Sequence, residues 1–262
     1  MIAWIRIVLS VLVLGLATLV LAPFQILFLW RDMPQRRRLP RLFHRIACRM
    51  IGLRVHVHGR IDARRPLMLV ANHVSWKDIL ALGSVADVVF VAKAEVRQWP
   101  VFGVLARLQK TIFVEREQKR AAGQQASEIG SRLADGEIVV LFPEGTTSDG
   151  NRLLEIKSSL FGAAASAVPQ SPTGTVHVQP VALAYTRVHG MAMGRYHRPI
   201  AAWPGDIALL PHLLGVLREG ALDVDLVFGE TIDFARDTNR KLVSRQVEAA
   251  LRAMLVARLR GR

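Results

Sequence analysis

The sequence predicts an α/β fold, in which a mixed sheet is flanked by helices and preceded by an N-terminal membrane-anchoring helix. Short apolar runs with β-type residues recur along the chain, and helical patterns lie between several of them, which predicts the sheet. Residues 7–30 carry no charge over 24 positions, enough at about 1.5 Å per residue to cross a hydrocarbon core of roughly 30 Å. The 262-residue chain is long enough for one sizeable domain behind that anchor.

The N-terminal region is expected to comprise two segments. Residues 1–30 form the membrane anchor, and their apolar run is too long for a signal peptide. Pro23 leaves open whether the helix spans the bilayer or turns back toward the interface. In residues 31–53, arginines alternate with apolar residues at helical spacing, which favours a basic amphipathic helix on anionic lipid over an ordinary linker helix with a solvated charged face.

The charge of the chain indicates an anionic partner. The formal net charge is +14, and eleven arginines against two aspartates lie between Arg31 and Arg65, directly after the apolar run. This placement favours a membrane surface, and the positive-inside rule puts residues 54–262 in the cytoplasm, at the inner membrane. The two tyrosines of the chain do not suit nucleic-acid binding, which usually interleaves aromatic and basic residues.

The remaining residues, 54–262, are expected to form the catalytic domain. The β-type runs are residues 54–58, 67–71, 88–92, 111–115, 137–142, 177–185 and 222–228, and the helical patterns include residues 77–82 and 121–133. Cys48 is the only cysteine, which excludes a disulfide framework and a zinc site built on thiolates.

A first chemical motif lies where the strand at 67–71 ends and the helix from residue 77 begins. Five residues of regular helix turn by about 500°, so His73 and Asp78 could not face each other if both were helical. We therefore expect His73 to precede the helix and Asp78 to reach back to it from the first turns. A carboxylate there would fix the tautomer of the imidazole and make its other nitrogen a base for a substrate hydroxyl.

Two further motifs follow predicted strands. Residues 141–146 read Leu-Phe-Pro-Glu-Gly-Thr, where proline and glycine predict a turn that presents Glu144 at the same edge of the sheet as His73. A solvated glutamate in an ordinary turn is the alternative. Residues 112–116 form a strand that ends in Arg116, whose guanidinium could bind phosphate or carboxylate.

These motifs together resemble those of the 1-acylglycerol-3-phosphate acyltransferase family of lysolipid acyltransferases. Its motifs match, in family order, Asn72, His73 and Asp78, then Phe113, Val114 and Arg116, then residues 142–146, then residues 178–181. The resemblance covers roughly residues 50–230.

The resemblance implies that His73 is the general base on the acceptor hydroxyl and that Asp78 orients it. It implies that Arg116 and Glu144, with Gly145 and Thr146, position the acceptor. The donor would be an acyl-carrier protein or coenzyme A thioester and the acceptor a lysolipid, with no acyl-enzyme, cofactor or metal. Lys93 and Lys157 are candidate further cationic contacts, although each could be a solvated lysine.

The acceptor headgroup is where the chain departs from the family pattern. Members that acylate lysophosphatidic acid usually follow Gly-Thr with arginine, and this chain has Thr147. The run at 146–150 is similar to the branch that acylates lyso-ornithine lipid. We therefore expect ornithine lipid as the product, with phosphatidic acid as the alternative.

Other functions fit the sequence less well. A serine hydrolase would need a Gly-x-Ser-x-Gly elbow, which the sequence lacks. His56 and His58 share a strand face but have no nearby cluster of further metal ligands, so we interpret them as strand residues. A non-catalytic lipid-binding protein would also explain the charge, but the intact pair of His73 and Asp78 argues against it.

Overall fold

One mixed β-sheet organises the computed structural model of the chain, which describes residues 2–115, 122–205 and 207–261. Its strands are β1 (Leu53–His58), β2 (Leu67–Ala71), β3 (Val88–Lys93), β4 (Ile112–Val114), β5 (Ile138–Leu141), β6 (Thr175–Val188), β7 (Met191–Ala192), β8 (Leu222–Phe228) and β9 (Ile232–Ala235). The spatial order is β1-β8-β6-β2-β5-β3-β4, with β7 and β9 also paired to β6. All seven runs predicted as strands form strands, whereas the short β7 and β9 were not predicted.

The direction of the strands decides where the functional motifs meet. Strands β4, β3, β5, β2 and β6 run parallel, whereas β8 and β9 are antiparallel to β6. Strands β2 and β5 are direct neighbours, with Val70 opposite Leu141. The segments that follow these two strands therefore leave the sheet at the same edge, as the sequence predicted.

Helices cover both faces of the sheet: α1 (Ile2–Trp30), α2 (Gln35–Ile51), α3 (Lys77–Val85), α4 (Phe102–Leu108), α5 (Ala122–Ala134), α6 (Gly162–Ala167), α7 (Leu209–Glu219) and α8 (Arg240–Leu259). Alternate residues of β2 enter opposite cores, because side chains of a strand alternate between its faces. Leu67 and Leu69 belong to the core under α2, α3 and α7. Met68 and Val70 belong to the core under α5, α6 and α8. Burial on both faces explains the uninterrupted apolar sequence of β2.

The predicted anchor is one continuous helix, α1, which passes through Pro23 without a break. It is long and apolar enough to cross a membrane, with a mean hydropathy of 2.6. Its few polar side chains face the rest of the protein. Arg6 donates to the carbonyl of Ile51 at 3.2 Å, and Gln25 donates to the carbonyl of Leu108 at 2.8 Å. Helix α1 is therefore bonded to the domain near both of its ends.

The predicted basic helix is α2, and its two faces differ. Its buried side chains, among them Cys48 and Ile51, pack against α1 and α3. Arginines 37, 38, 45 and 49 are exposed. The apolar stripe of this helix therefore belongs largely to the protein core, and the arginines remain on the surface.

Candidate active site

His73 lies in the loop between β2 and α3, as expected, and Asp78 lies in the first turn of α3. The Nδ1 atom of His73 is 2.8 Å from Oδ2 of Asp78. A carboxylate can only accept a hydrogen bond, so Nδ1 carries the proton and Nε2 is the basic nitrogen. The His73 side chain is 20% exposed, which leaves the ring accessible to a substrate.

Asp78 is fully buried and is held by four donors. Besides His73, the backbone N–H groups of Val74 and Ser75 donate to Oδ2 at 2.6 and 2.9 Å. The hydroxyl of Tyr185, on β6, donates to Oδ1 at 2.8 Å. These bonds compensate the burial of the carboxylate and fix its orientation toward the imidazole.

Two aromatic rings fix the plane of the imidazole. Phe142 stacks on His73 with 4.1 Å between ring centroids and 19° between the planes. Phe90 lies parallel to Phe142, with centroids 6.4 Å apart. The imidazole is thus held on one face by an apolar stack, which limits both its rotation and the access of water from that side.

Glu144 links the loop after β5 to the loop after β2. Its Oε1 accepts the backbone N–H of His73 at 2.6 Å, and its Oε2 accepts that of Leu154 at 2.8 Å. Burial raises the pKa of Glu144 to about 7, against the lowering effect of these two hydrogen bonds. A second link joins the same two loops, because the N–H of Ser148 donates to the carbonyl of His73 at 2.8 Å.

Two neighbours of His73 and Asp78, which the sequence did not single out, are Lys77 and Tyr185. The Lys77 side chain is fully buried, and its Nζ donates to the Ser75 hydroxyl at 3.0 Å and to the carbonyl of Ala201 at 2.8 Å. Burial lowers the pKa of Lys77 to about 7. In the sequence, Lys77 looked like the first residue of a helix and Tyr185 like the end of an apolar run, so neither carried a signal of contact with Asp78.

Other residues of the motifs have structural partners. Both side-chain amide atoms of Asn72 bond to the backbone of Leu183, at 3.0 and 2.7 Å, like one more rung of the sheet. Gln179, in the fourth motif, donates to the carbonyls of Arg60 and Gly229 at 2.9 and 3.0 Å. These residues hold β6 against the strands and loops beside it.

The remaining predicted site residues have varied surroundings. Arg116 lies outside the described residues. Gly145 has a φ of 75°, a left-handed conformation that favours glycine. Thr146 and Lys157 are exposed, as is Lys93 at the end of β3. The structure thus brings His73, Asp78 and Glu144 together, whereas the lysines have no described contact with the pair.

Thr147, the residue at which the sequence departs from the motif pattern that it resembles, is buried. Its hydroxyl donates to the carbonyl of Trp203. An arginine at this position would have to displace that contact. The departure from the family pattern is therefore built into the packing of the loop.

His56 and His58 are strand residues of β1, as interpreted from the sequence. Their Nε2 atoms lie 2.7 and 3.3 Å from the carboxylates of Asp223 and Asp225 on the adjacent β8. Within residues 2–115, 122–205 and 207–261, no group of three or more His, Cys, Asp or Glu side chains is placed to hold a metal ion.

Comparison with known proteins identifies the family. The family model described as Acyltransferase matches residues 53–184. The chain is 70% identical to a lyso-ornithine lipid O-acyltransferase of Rhizobium meliloti, over 100% of this chain and 90% of that protein. It is 52% identical to a protein of the same name from Brucella abortus, over 100% of this chain and 98% of that protein.

A solved structure shares the fold. It is the 1-acyl-sn-glycerophosphate acyltransferase of Thermotoga maritima, with a TM-score of 0.67, 24% sequence identity, and coverage of 99% of this chain and 98% of that chain. Matching motifs, family model and relatives agree with one another. The chain therefore belongs to the acyltransferase family and is an enzyme of that family.

Proposed function

We propose that the enzyme transfers an acyl group from a thioester to the hydroxyl of lyso-ornithine lipid, with His73 as general base. The observation that carries this proposal is the contact of 2.8 Å between His73 and the buried, fourfold-bonded Asp78. The names of the two relatives at 70% and 52% identity support the acceptor. The product would be ornithine lipid, made in membrane lipid biosynthesis.

The reaction requires two proton transfers, one from the acceptor hydroxyl to His73 and one from His73 to the departing thiolate. Nε2 of His73 takes the proton of the acceptor hydroxyl as its oxygen attacks the thioester carbonyl. The tetrahedral intermediate collapses, the carbon–sulfur bond breaks, and the imidazolium returns the proton to the departing thiolate. Asp78 stabilises the imidazolium while it exists, because its charge lies on the far side of the ring.

Glu144 acts in this proposal through His73. Both of its oxygens accept backbone N–H groups, so the carboxylate holds the loop that carries the base and does not face the acceptor directly. This assignment differs from the role expected by resemblance, in which Glu144 positions the acceptor. The candidates for contacts with the headgroup remain Arg116, Thr146, Lys93 and Lys157. Gly145 shapes the turn between Glu144 and Thr146.

The experiment offers the purified protein acyl-carrier protein and coenzyme A thioesters, each with lyso-ornithine lipid or lysophosphatidic acid, and identifies the products. We expect ornithine lipid to form with the higher kcat/KM. The His73→Ala variant should lose about 10² to 10⁴ in rate, the usual contribution of a general base, with an unchanged melting temperature. Near-wild-type turnover in that variant would remove the catalytic assignment.

Phosphatidic acid synthesis is the second candidate function. Thr147 decides between the two acceptors in our proposal, since an arginine there would add a charge-assisted contact to a phosphate. We expect Thr147→Arg to shift the preference toward lysophosphatidic acid. A wild-type enzyme that prefers lysophosphatidic acid would overturn the choice of acceptor and leave His73 and Asp78 in their roles.

We also propose that residues 1–30 hold residues 54–262 at the cytoplasmic face of the inner membrane. The bonds of Arg6 and Gln25 to the domain support a helix that lies along the protein with its apolar face in the lipid. The exposed arginines in residues 31–53 support contact with anionic headgroups. Protease protection of vesicle-bound protein tests this arrangement. If α1 lies along the protein, its first residues should be digested from outside the vesicle, whereas a spanning helix would protect them inside it.

A further inference from the structure

A cavity of about 460 Å³ lies at the edge of the sheet opposite to His73. Its walls are formed by the start of α2, the segment before β2, the segment between α4 and β4, and the residues that immediately precede β3 and β5. His73 and Glu144 follow the carboxyl ends of β2 and β5. The length of those strands, at about 3.3 Å per residue, therefore separates this cavity from the candidate active site.

The cavity is lined by a surplus of cations. Its cationic side chains come from three parts of the chain and are Arg36, Arg37, Arg41, Arg65 and Lys110. Its acidic side chains are Asp62, Asp87 and Glu137. Two of these acids are bound by cations that do not line the cavity: Arg64 lies 2.7 Å from Asp62, and Arg132 pairs with Glu137. Two of the lining cations also have acidic partners, since Arg36 pairs with Asp32 and Arg37 lies 3.9 Å from Glu137. The five lining cations still outnumber the three lining carboxylates, two of which are shared with Arg64 and Arg132.

Polar groups in the wall lack partners of their own. The Nε atom of Arg41 and the Oδ1 atom of Asp87 are buried, and neither has a hydrogen-bond partner. The two side chains approach only to 3.9 Å, between Nη1 and Oδ1. Buried polar groups normally have partners. The guanidinium of Arg41 is therefore a donor group with unused hydrogen-bonding capacity, whereas the carboxylate of Asp87 is an acceptor and offers nothing to an anion.

Lys110 shows the same surplus of positive charge. Burial lowers its pKa, and the nearby guanidinium groups of Arg132, Arg36 and Arg37 lower it further. Glu137 acts in the opposite direction. An anion in the cavity would relieve this repulsion, and guanidinium groups match the geometry of phosphate oxygens.

The cavity lies beside the end of the apolar helix. Arg36 and Arg37 follow Trp30, the last residue of α1, by a few positions. Gln25 of α1 donates to the carbonyl of Arg36 at 2.9 Å, which ties the end of α1 to this wall. Lipid phosphates lie at the level where an apolar segment gives way to charged residues.

We propose that this cavity is a second, non-catalytic site, which binds the phosphate of an anionic membrane lipid headgroup. The acceptor would bind at the other edge of the sheet, beside His73. The lipid would add a specific contact to the general attraction between the arginines and the membrane. The proposal does not depend on the identity of the acceptor.

The test uses the full chain in a zwitterionic detergent and measures binding by calorimetry. The probes are dihexanoyl phosphatidylglycerol, dihexanoyl phosphatidylcholine and inorganic phosphate. We expect the anionic lipid to bind at least about tenfold more tightly than either of the others. The double variant Arg41→Gln/Lys110→Gln should bind phosphatidylglycerol no better than phosphatidylcholine.

The matched control is Arg54→Gln/Arg245→Gln, which removes the same charge from exposed residues that neither line the cavity nor belong to residues 31–53. It should bind like the wild type. Equal losses in both double variants, or unchanged binding in the cavity variant, would overturn the site. Inorganic phosphate that binds as tightly as the lipid would overturn the lipid as its ligand. Acyl-carrier protein is titrated in the same way, and a cavity variant that keeps its binding of phosphatidylglycerol but loses its binding of acyl-carrier protein would also overturn the lipid as the ligand. If the double variant has a lowered melting temperature, Lys110→Gln alone replaces it in the same comparison.

Discussion

The replacement of Asp78 by asparagine tests how the carboxylate assists His73. The backbone N–H groups of Val74 and Ser75 both donate to Oδ2 of Asp78. In Asp78→Asn, these two donors require the amide oxygen, and not its nitrogen, at that position. The oxygen then still accepts from Nδ1 of His73, and the amide nitrogen faces Tyr185, whose hydroxyl can turn to accept. The variant should therefore keep the fold and the tautomer of His73 and lose only the negative charge.

The size of the expected loss in rate follows from the loss of that negative charge. A hydrogen bond to a charged acceptor is roughly twice as strong as a neutral one, and two unit charges about 4 Å apart interact by about 4 kcal/mol in surroundings of intermediate polarity. The imidazolium formed during transfer should lose about 1.5–4 kcal/mol of stabilisation, with both limits taken from such estimates. The expected loss in kcat is roughly ten- to thousandfold.

The assay measures thioester cleavage at steady state, together with the melting temperature of the variant. Asp78→Ala is the comparison, because it leaves four donors without an acceptor, at about 1–3 kcal/mol for each buried group. Asp78→Asn should melt close to the wild type, and Asp78→Ala far below it. Full activity in Asp78→Asn would refute the role of the charge, and a melting temperature as low as that of Asp78→Ala would refute the predicted orientation of the amide.

The other variants probe the surroundings of the pair and the anchor. Glu144→Gln should lower kcat by about tenfold or more, since its amide can accept only one of the two backbone N–H groups and the other loses about 1–3 kcal/mol; unchanged kinetics would contradict this. The pKa of Lys77 is lowered to about 7 by burial, so the unfolded chain binds more protons between pH 7 and about 10.5 and stability should rise over that range. Denaturant unfolding of the wild type and of Lys77→Met at a series of pH values measures this. An equal dependence of the unfolding free energy on pH in both proteins would contradict it. Thr147→Arg should also lower the melting temperature, because the hydrogen bond from the Thr147 hydroxyl to the carbonyl of Trp203 is lost. Thr147→Val is the control, because it loses the same hydrogen bond without adding the larger side chain. Removal of residues 1–30 should leave vesicle binding that salt weakens, since each exposed arginine contributes about 1 kcal/mol on anionic lipid; binding that is insensitive to salt would exclude this explanation.

Much of the site could be predicted because its parts are local or follow neighbouring strands. The spacing between His73 and Asp78, together with the turn of a helix, was enough to place His73 before α3. Tyr185 could not be predicted as a partner of Asp78, because it lies 107 residues away and reaches the pair only through the pairing of β6 with β2. The sequence placed Glu144 at the correct edge of the sheet, but only the structure shows that its oxygens face backbone N–H groups.

The same limit applies to the fold. Strands with uninterrupted apolar sequence were predictable, because burial on both faces leaves a strong pattern. The two-residue β7 and the short β9 carry no such pattern, and both depend on β6 for their pairing. Helix α2 had the predicted amphipathic spacing, yet spacing alone does not show whether an apolar stripe meets lipid or another helix.

The attachment of α1 near both of its ends, through Arg6 and Gln25, has a consequence for the choice of acceptor. If α1 rests in lipid as we propose, a domain fastened to it in this way would keep His73 at one height relative to the bilayer. The enzyme would then discriminate between acceptors by the depth of their hydroxyl groups in the bilayer. An acceptor whose hydroxyl already lies at the height of His73 can react without leaving its position in the bilayer. An acceptor whose hydroxyl lies deeper must move outward, which costs about 0.8 kcal/mol for each methylene that becomes exposed to water. Selection among lysolipids would thus begin with the level of the hydroxyl in the bilayer, before any headgroup is recognised.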